Sequence, residues 1–443
     1  IPVGDKLMPD EPGTWLTIYK GAGEIGGNCL ELRTDGTRIV LDVGVPLIDS
    51  RGEWFDSSSL RGRSKEALLE AGILPGVPGL FQGDPRPDAI LLSHAHLDHS
   101  GFLDRTQPEI PVYATEATSK MMLAGEVFAN GKQIPTHRFE KLKPERPTKI
   151  GRFRATALPV DHSVAGSAAL LIETGDKAIL YSGDLRLHGR HPDRAERILE
   201  ILNGKTIDVL LMEGTHLGSA RKERVSEHDL EERISEQVRQ ARGLVLACFS
   251  PQHVDRLIGF IRAARAAGRT FVANAYTAFV MHLIYLQTKI PDPKVDPQVR
   301  VFYPSVFARK PSSTLHEMFR ARQITLEEIR QRPSCYLMMF RPSMLDLDFQ
   351  SNLPQGTTCI YSQWTGYRDR PEWQETEMSL AARGGNLVPL HTSGHILQDD
   401  LVAFVREIDP RVVIPIHTLH PDKLGDLCER VRCVDNGRPY KVE

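Results

Sequence analysis

Nine consecutive residues constrain this chain more than any others: Ser93-His94-Ala95-His96-Leu97-Asp98-His99-Ser100-Gly101. They follow Ala89-Ile90-Leu91-Leu92, an apolar run of the kind that forms a buried strand. A strand end is rigidly held, and the loop after it can turn several side chains toward one point. His94 and His96 are two apart, so they share a face in extended backbone. Asp98 and His99 come after the turn and can face a second point a few ångströms away. Neutral imidazole and carboxylate are the ligands that a borderline divalent ion such as zinc accepts. The stretch therefore reads as a metal-binding loop at the end of a buried strand.

Composition sets the outer limits. At 443 residues the chain can bury two sizeable cores. A formal net charge of −2 argues against binding a polyanion with the whole surface, so any polyanion must be met by a local patch and by metal. No apolar run approaches the length of a membrane span. The start, Ile1-Pro2-Val3-Gly4-Asp5-Lys6, has no signal-peptide pattern, and the missing initiator Met points to a trimmed or absent N-terminus. Cys29, Cys248, Cys335, Cys359, Cys428 and Cys433 include no CxxC pair. Neither a disulfide framework nor a structural cysteine zinc site is expected, and a reducing cytoplasm is the simplest compartment.

Taken in order, residues 15–42 read as three strands. The glycine-rich loop Gly21–Asn28 lies between the first two. No helix pattern follows that loop, so tight turns beside a metal site suit it better than a phosphate cradle. Residues 45–88 are irregular, with one helix-like piece at 64–71. A strand at 111–113 and a helix at 116–129 follow. Strands are then expected near 152–158, 168–173, 178–182 and 207–212.

The character changes at residue 216. Residues 221–224 form a charged connection. Ser226-Glu227-His228-Asp229 is a capping-box pattern, with Val225 and Leu230 placed as a hydrophobic staple. Leu230, Ile234 and Val238 recur every four residues, as in an amphipathic helix. A strand at 243–249 comes next. Ser250-Pro251 is a cap-and-first-position pair for the following helix, which Gly268 ends. A strand at 271–274 and a helix from Thr277 continue the alternation, then a Pro-rich stretch at 291–312. This is the pattern of a doubly wound domain with parallel strands. From about 386 the first pattern returns, with a helix at 399–408 and a strand at 412–416. One α/β domain is thus interrupted by another: 1–215, 216–385 and 386–443.

The HxHxDH pattern of His94–His99 resembles the metal-binding signature of the metallo-β-lactamase superfamily. That resemblance implies an aspartate at an early strand end, which Asp42 matches. It implies a later lone histidine (His162), a metal-bridging aspartate (Asp184) and a last histidine (His417). The large α/β insertion resembles the β-CASP nucleases, and the block His391–His417 their ribonuclease J-like branch. The resemblance covers essentially the whole chain. It adds an acidic residue after a strand, matched by Glu213, and a histidine after the insertion, matched by His395. The implied fold is a metallo-β-lactamase αββα sandwich interrupted by a doubly wound α/β (β-CASP) domain. Because the chain ends at Glu443, it is expected to lack the further C-terminal domain of bacterial members, and the oligomeric state stays open.

The implied activity is hydrolysis of single-stranded RNA, with no membrane partner, by two divalent ions. Zinc is the expected metal and manganese the alternative. One ion is expected on His94, His96 and His162, the other on Asp98, His99 and His417, with Asp184 bridging and Asp42 orienting a ligand histidine. His395 would protonate the leaving oxygen, held charged by Glu213. Asp161 reads equally as such an orienting residue or as a surface turn. Arg186 and His188 read as a solvated face, and Phe249 and Tyr276 as core. Ser362, Gln363, Thr392 and Ser393 are candidate phosphate contacts. Exonucleolytic and endonucleolytic action are not separable. Two competing readings are a hydrolase of a small ester or thioester, and a non-catalytic RNA-binding relative. The first is disfavoured by the insertion with Glu213 and His395, the second by the complete ligand set.

Overall fold

A computed structural model describes residues 11–48, 52–128, 134–219, 224–308 and 313–443. The start of the chain and most of the charged connection at 221–224 lie outside the described residues. Two compact units emerge. The first is Ile1–Leu187, His191–Glu223 and Gly394–Glu443, and the second is His188–Arg190 and Arg224–Ser393. Residues 386–393, which the sequence pattern grouped with the returning segment, belong to the second unit. Its strand Asn386–Pro389 pairs there with Thr358–Tyr361.

The first unit contains two large sheets. One has seven strands, in the order 439–441, 14–20, 29–34, 37–41, 89–91, 112–114, 139–141. The other has six, in the order 412–416, 209–213, 178–181, 168–173, 153–159, 148–150. Alternation along the strands explains the packing. Leu30, Leu32, Ile39, Leu41, Ala89 and Leu91 of the first sheet share one core with Ala155, Ala157, Leu170, Ile172, Ile179 and Tyr181 of the second. The intervening residues Ala169, Leu171, Leu180, Leu210 and Met212 face the other way, against Ile198, Leu401, Phe404 and Ile408 of the helices Asp193–Leu202 and Gln398–Ile408. Both faces are dry, which is why these strands read as unbroken apolar runs. The helix Glu116–Phe128 crosses over between the parallel strands Val112–Ala114 and Phe139–Lys141.

Strand direction then decides where the polar residues gather. Thr37–Leu41 and Ala89–Leu91 are parallel neighbours. So are Ala178–Tyr181, Val209–Glu213 and Val412–Ile416. Asp42, the His94–His99 loop, Asp184, Thr215 and His417 all follow the carboxyl ends of these strands. Phe153–Pro159 runs in the same direction, two antiparallel steps away, and is followed by His162.

The second unit is built on a six-stranded parallel sheet, in the order 299–302, 270–274, 336–339, 245–248, 358–361, 386–389. Its core joins Leu246, Cys248, Met338 and Tyr361 to Trp373 and Leu380 of the helix Pro371–Ala382. Ser226 and Asp229 form the expected capping box on the helix Glu227–Gln240, and Val225 and Leu230 are both buried. Ser250-Pro251 does not cap the next helix. That helix is Val254–Ala266, and the side chain of His253 caps it by accepting from the Arg256 N–H. The Ser250 carbonyl instead closes a turn with the His253 N–H at 2.8 Å. Phe249 is buried and stacks on Phe260 at 4.8 Å, as its apolar surroundings suggested.

Candidate metal centre

The site lies wholly in the first unit. His94, His96, His162 and Asp184 form one group whose ligand-type atoms all lie within 4.8 Å of one another, and Asp98, His99, Asp184 and His417 form a second. Asp184 belongs to both. These two groups correspond to the two ligand sets expected from the sequence.

Hydrogen bonds on the far side of each ring fix which nitrogen points inward. The His162 Nδ1–H donates to the Gly394 carbonyl at 2.6 Å, so its Nε2 carries a lone pair. His99 Nδ1–H donates to Asp42 Oδ2 at 2.7 Å, which leaves its Nε2 facing Asp184 Oδ1 at 3.2 Å. Asp42 is fully buried and also accepts from the Ser93 hydroxyl and the Tyr181 hydroxyl, both at 2.6 Å. With the Ser93 proton committed to Asp42, Ser93 Oγ can accept the His94 Nδ1–H at 3.0 Å. His94 Nε2 then faces inward too.

His94 Nε2 and His162 Nε2 each approach His96 Nδ1, at 3.2 and 3.1 Å. Two of these nitrogens are lone-pair acceptors by the bonds above, so the trio has too few protons to hydrogen-bond itself. Neither oxygen of the buried Asp184 carboxylate makes a hydrogen bond, nor does His99 Nε2. Such orphans are costly without a cation between them. The donor set fits two divalent ions sharing Asp184.

Electrostatics agree for the first set, whereas in the second, burial is outweighed by Asp184 and Asp98, which push His99 well above the ordinary histidine range. Burial and the neighbouring His99 push His94 well below the ordinary histidine range, and burial with His94 does the same to His162. Both rings are therefore neutral and ready as ligands. Burial alone would raise Asp184, but His99, His417 and His395 outweigh it and hold the carboxylate well below its usual range.

A third group, Asp184, Glu213, His395 and His417, also gathers within 4.8 Å. Glu213 differs from Asp184 in that its oxygens are occupied. Oε1 accepts from the Leu185 N–H at 3.1 Å, and Oε2 from the Thr215 hydroxyl at 2.9 Å. His395 Nδ1 stands 3.3 Å from Glu213 Oε1. Burial opposes a charge on His395, but Glu213 and Asp184 overcome it and push the pKa up to about 9.

Backbone conformation marks the site as well. Asp42 and His417 both have left-handed backbone, φ 57° and 53°, which non-glycine residues seldom adopt. Gly44 packs against the metal loop so closely that a Cβ there would stand 1.7 Å from the Asp98 carbonyl oxygen. Gly44→Ala should therefore displace Asp98 and His99, costing roughly 1–3 kcal/mol as overpacking does. The check is chemical unfolding beside zinc stoichiometry. A variant of unchanged stability that binds two ions would contradict it.

The comparisons with known proteins point the same way. A model of the β-lactamase superfamily domain matches residues 73–277. Ribonuclease J of Pyrococcus abyssi (strain GE5 / Orsay) is 25% identical over 91% of this chain and 89% of its own length. Ribonuclease J of Mycolicibacterium smegmatis is 26% identical over 93% of this chain and 71% of its own. These likenesses support a metallo-β-lactamase fold with a β-CASP insertion of the ribonuclease J-like kind. Against Ribonuclease J of Helicobacter pylori (strain B128), 23% identical, this chain spans 55% of the relative's length. A solved protein of unknown function from Enterococcus faecalis V583 shares the fold. It has a TM-score of 0.78 and 24% identity over 97% of this chain and 99% of that one. The second unit described above corresponds to the β-CASP insertion, and the first, metallo-β-lactamase-like unit carries the candidate metal centre.

Several expectations need correction. Arg186 is not on a solvated face. It is 1% exposed, and its Nε donates to Asp161 Oδ1 at 3.0 Å. Asp161 is buried rather than on a surface turn, and it also accepts the His191 N–H. His188 is buried, with Nε2 3.0 Å from the Ser393 carbonyl. Three of the four phosphate-contact candidates, Ser362, Thr392 and Ser393, are buried, and Gln363 is half-buried. Ser362 is 2% exposed, and its hydroxyl donates to the Leu390 carbonyl and accepts from Arg256. The Thr392 hydroxyl donates to the Val225 carbonyl at 2.7 Å, and Ser393 is buried. Sequence reasoning missed Ser93, Tyr181 and Thr215. Ser93 adjoins His94, Tyr181 lies three residues before Asp184 and Thr215 two after Glu213, and only that nearness could have pointed to them.

Proposed function

We propose that this chain is a metal-dependent ribonuclease that hydrolyses phosphodiester bonds of single-stranded RNA at a two-ion centre. The observation that carries the proposal is the shared, hydrogen-bond-free carboxylate of Asp184 between two imidazole-rich ligand sets. The relatives that bear the name Ribonuclease J support the choice of RNA. His94, His96 and His162 would hold one ion, Asp98, His99 and His417 the other, with Asp184 between them. When bound, two such ions supply Lewis acidity and a water acidified to near neutrality.

The chain's own residues do the rest. Asp42 holds the His99 ring in the tautomer and orientation that present Nε2. His395, kept protonated by Glu213, can give its proton to the departing ribose oxygen. His395 is partly exposed, its side chain at 24%, whereas Glu213 is fully buried. The proton donor can thus meet a substrate while its partner remains dry. The ions are expected to be zinc, with manganese as the alternative. Among the described residues no helix is long and apolar enough to cross a membrane.

The test is incubation of the purified protein with 5′-labelled and 3′-labelled single-stranded RNA. Cleavage should stop when the ions are chelated and return with zinc or manganese. The two labels also tell exonucleolytic from endonucleolytic products. RNA left intact under every divalent ion would overturn the proposal.

A further inference from the structure

We infer that the Thr215 hydroxyl is a positioning group that fixes the tautomer of His417 and so lets His417 serve as a ligand. The inference rests on the two-ion reading above, and its argument is one of hydrogen-bond valence. Thr215 Oγ1 has four polar neighbours: Glu213 Oε2 at 2.9 Å, His417 Nδ1 at 2.9 Å, His395 Nδ1 at 3.2 Å and, farthest, the His417 carbonyl oxygen at 3.5 Å. A hydroxyl has one proton to give and two lone pairs to receive with. A carboxylate and a carbonyl can only accept, and the ionised Glu213 is both the nearer and the stronger acceptor of the two. The Thr215 proton therefore goes to Glu213, His417 Nδ1 can bond to Oγ1 only by donating its N–H, and the His395 Nδ1–H is shared between Oγ1 and Glu213 Oε1 at 3.3 Å.

The consequence for His417 is definite. With its proton on Nδ1, the lone pair sits on Nε2. That atom lies 3.2 Å from Asp98 Oδ2, inside the second ligand set. Were the hydroxyl to donate to His417 instead, Nε2 would carry the proton and hydrogen-bond Asp98, and it could not ligate. The left-handed backbone of His417 and the bond from its N–H to the Gly21 carbonyl at 2.8 Å place the ring. They leave its tautomer open, and Thr215 decides it.

The same device occurs once more in this centre. Ser93 Oγ gives its proton to Asp42 and faces His94 Nδ1 at 3.0 Å. Hydroxyl and buried carboxylate form a relay there behind His94, and Thr215 with Glu213 forms one behind His417. Thr215 adds a second acceptor role, toward His395. One atom thereby orients both a metal ligand and the proton donor beside it.

The test compares Thr215→Val, which keeps the branched shape without the hydroxyl, with Thr215→Ser, which keeps the hydroxyl. Zinc affinity is measured by chelator competition on the full chain. The His417 tautomer is read from long-range 1H–15N correlations of histidine-labelled, zinc-loaded protein. Thr215→Val should weaken one of the two zinc ions by about 10–100-fold, as loss of an outer hydrogen-bond partner does. The other ion should be unaffected, and the pattern of an Nδ1-protonated His417 should be lost. Thr215→Ser should restore both readings to within a few-fold of the parent. If the valine variant does not fold, Thr215→Ala carries the same comparison. A folded variant that lacks the hydroxyl yet keeps two zinc ions at parental affinity and an unchanged His417 pattern would overturn the inference alone. A parent protein that takes up no zinc would instead overturn the two-ion reading, and this inference with it.

Discussion

Asp184→Ala should abolish hydrolysis and release both ions, while the β-CASP unit stays folded. Asp184 is the one carboxylate common to both ligand sets. Its two oxygens make no hydrogen bonds, so their removal breaks no hydrogen bond of the fold, although His395 loses one of the charges that raise its pKa. Without that anion two cations would face each other across a dry cavity, and a bound ion is the largest local charge in such a place. His94→Ala should be milder, because it empties a position in only one set. The β-CASP core is built from Leu244–Leu387 and contains no residue of the metal loop. Elemental analysis, turnover on labelled RNA and thermal unfolding of each variant test this together. Full activity in Asp184→Ala would refute the assignment.

His395→Ala should keep both ions and near-normal RNA affinity, yet lose turnover on RNA by about 10²–10⁴-fold, the usual contribution of a general acid. The ribose oxygen of RNA is a poor leaving group and needs a proton. An aryl phosphodiester has a leaving group that needs none, so the same variant should retain far more of its activity there. This contrast also separates a nuclease from a hydrolase of activated esters, for which a dedicated acid matters little. Glu213→Gln should cause a smaller loss with a shift in pH profile. Burial works against the charge on His395, and Glu213 is the first of the carboxylates that raise its pKa to about 9. Removing that carboxylate lowers the pKa. The protonated acid then disappears at lower pH, and the alkaline limb of the profile moves down. Equal losses of His395→Ala on both substrates, or loss of metal, would make His395 a ligand or a structural residue.

Much of this was legible in the linear chain, for identifiable reasons. Strands buried on both faces leave long apolar runs, so Val209–Glu213 and Val412–Ile416 could be placed closely. A capping box is a local interaction, so Ser226 and Asp229 could be read without the fold. Ser250-Pro251 misled because a Ser-Pro pair starts turns as well as helices. Only the geometry after Cys248 showed which, with His253 taking the cap. Ser362 and Thr392 misled for a related reason. A hydroxyl looks alike in sequence whether it faces a phosphate or a carbonyl. The buried Arg256, hydrogen-bonded to the backbone carbonyls of Ser362 and Thr392, belongs to the packing around them.

The sequence by itself determined the candidate ligands, because metal chemistry restricts them to a few residue types and short strand-end spacings keep four of them together from 94 to 99. It also determined the alternation of elements that separates the two units. Only the tertiary structure decided what stands behind each ligand. Ser93, Tyr181 and Thr215 have ordinary side chains, and nothing in the chain order distinguishes them from other hydroxyls. Their roles come from the parallel strands Thr37–Leu41 and Ala89–Leu91 in one sheet, and Ala178–Tyr181, Val209–Glu213 and Val412–Ile416 in the other. Those strands end together, and a hydrogen bond is specific only over the last few tenths of an ångström. Contacts between residues as far apart as Thr215 and His417, 202 positions, are set by register rather than by spacing.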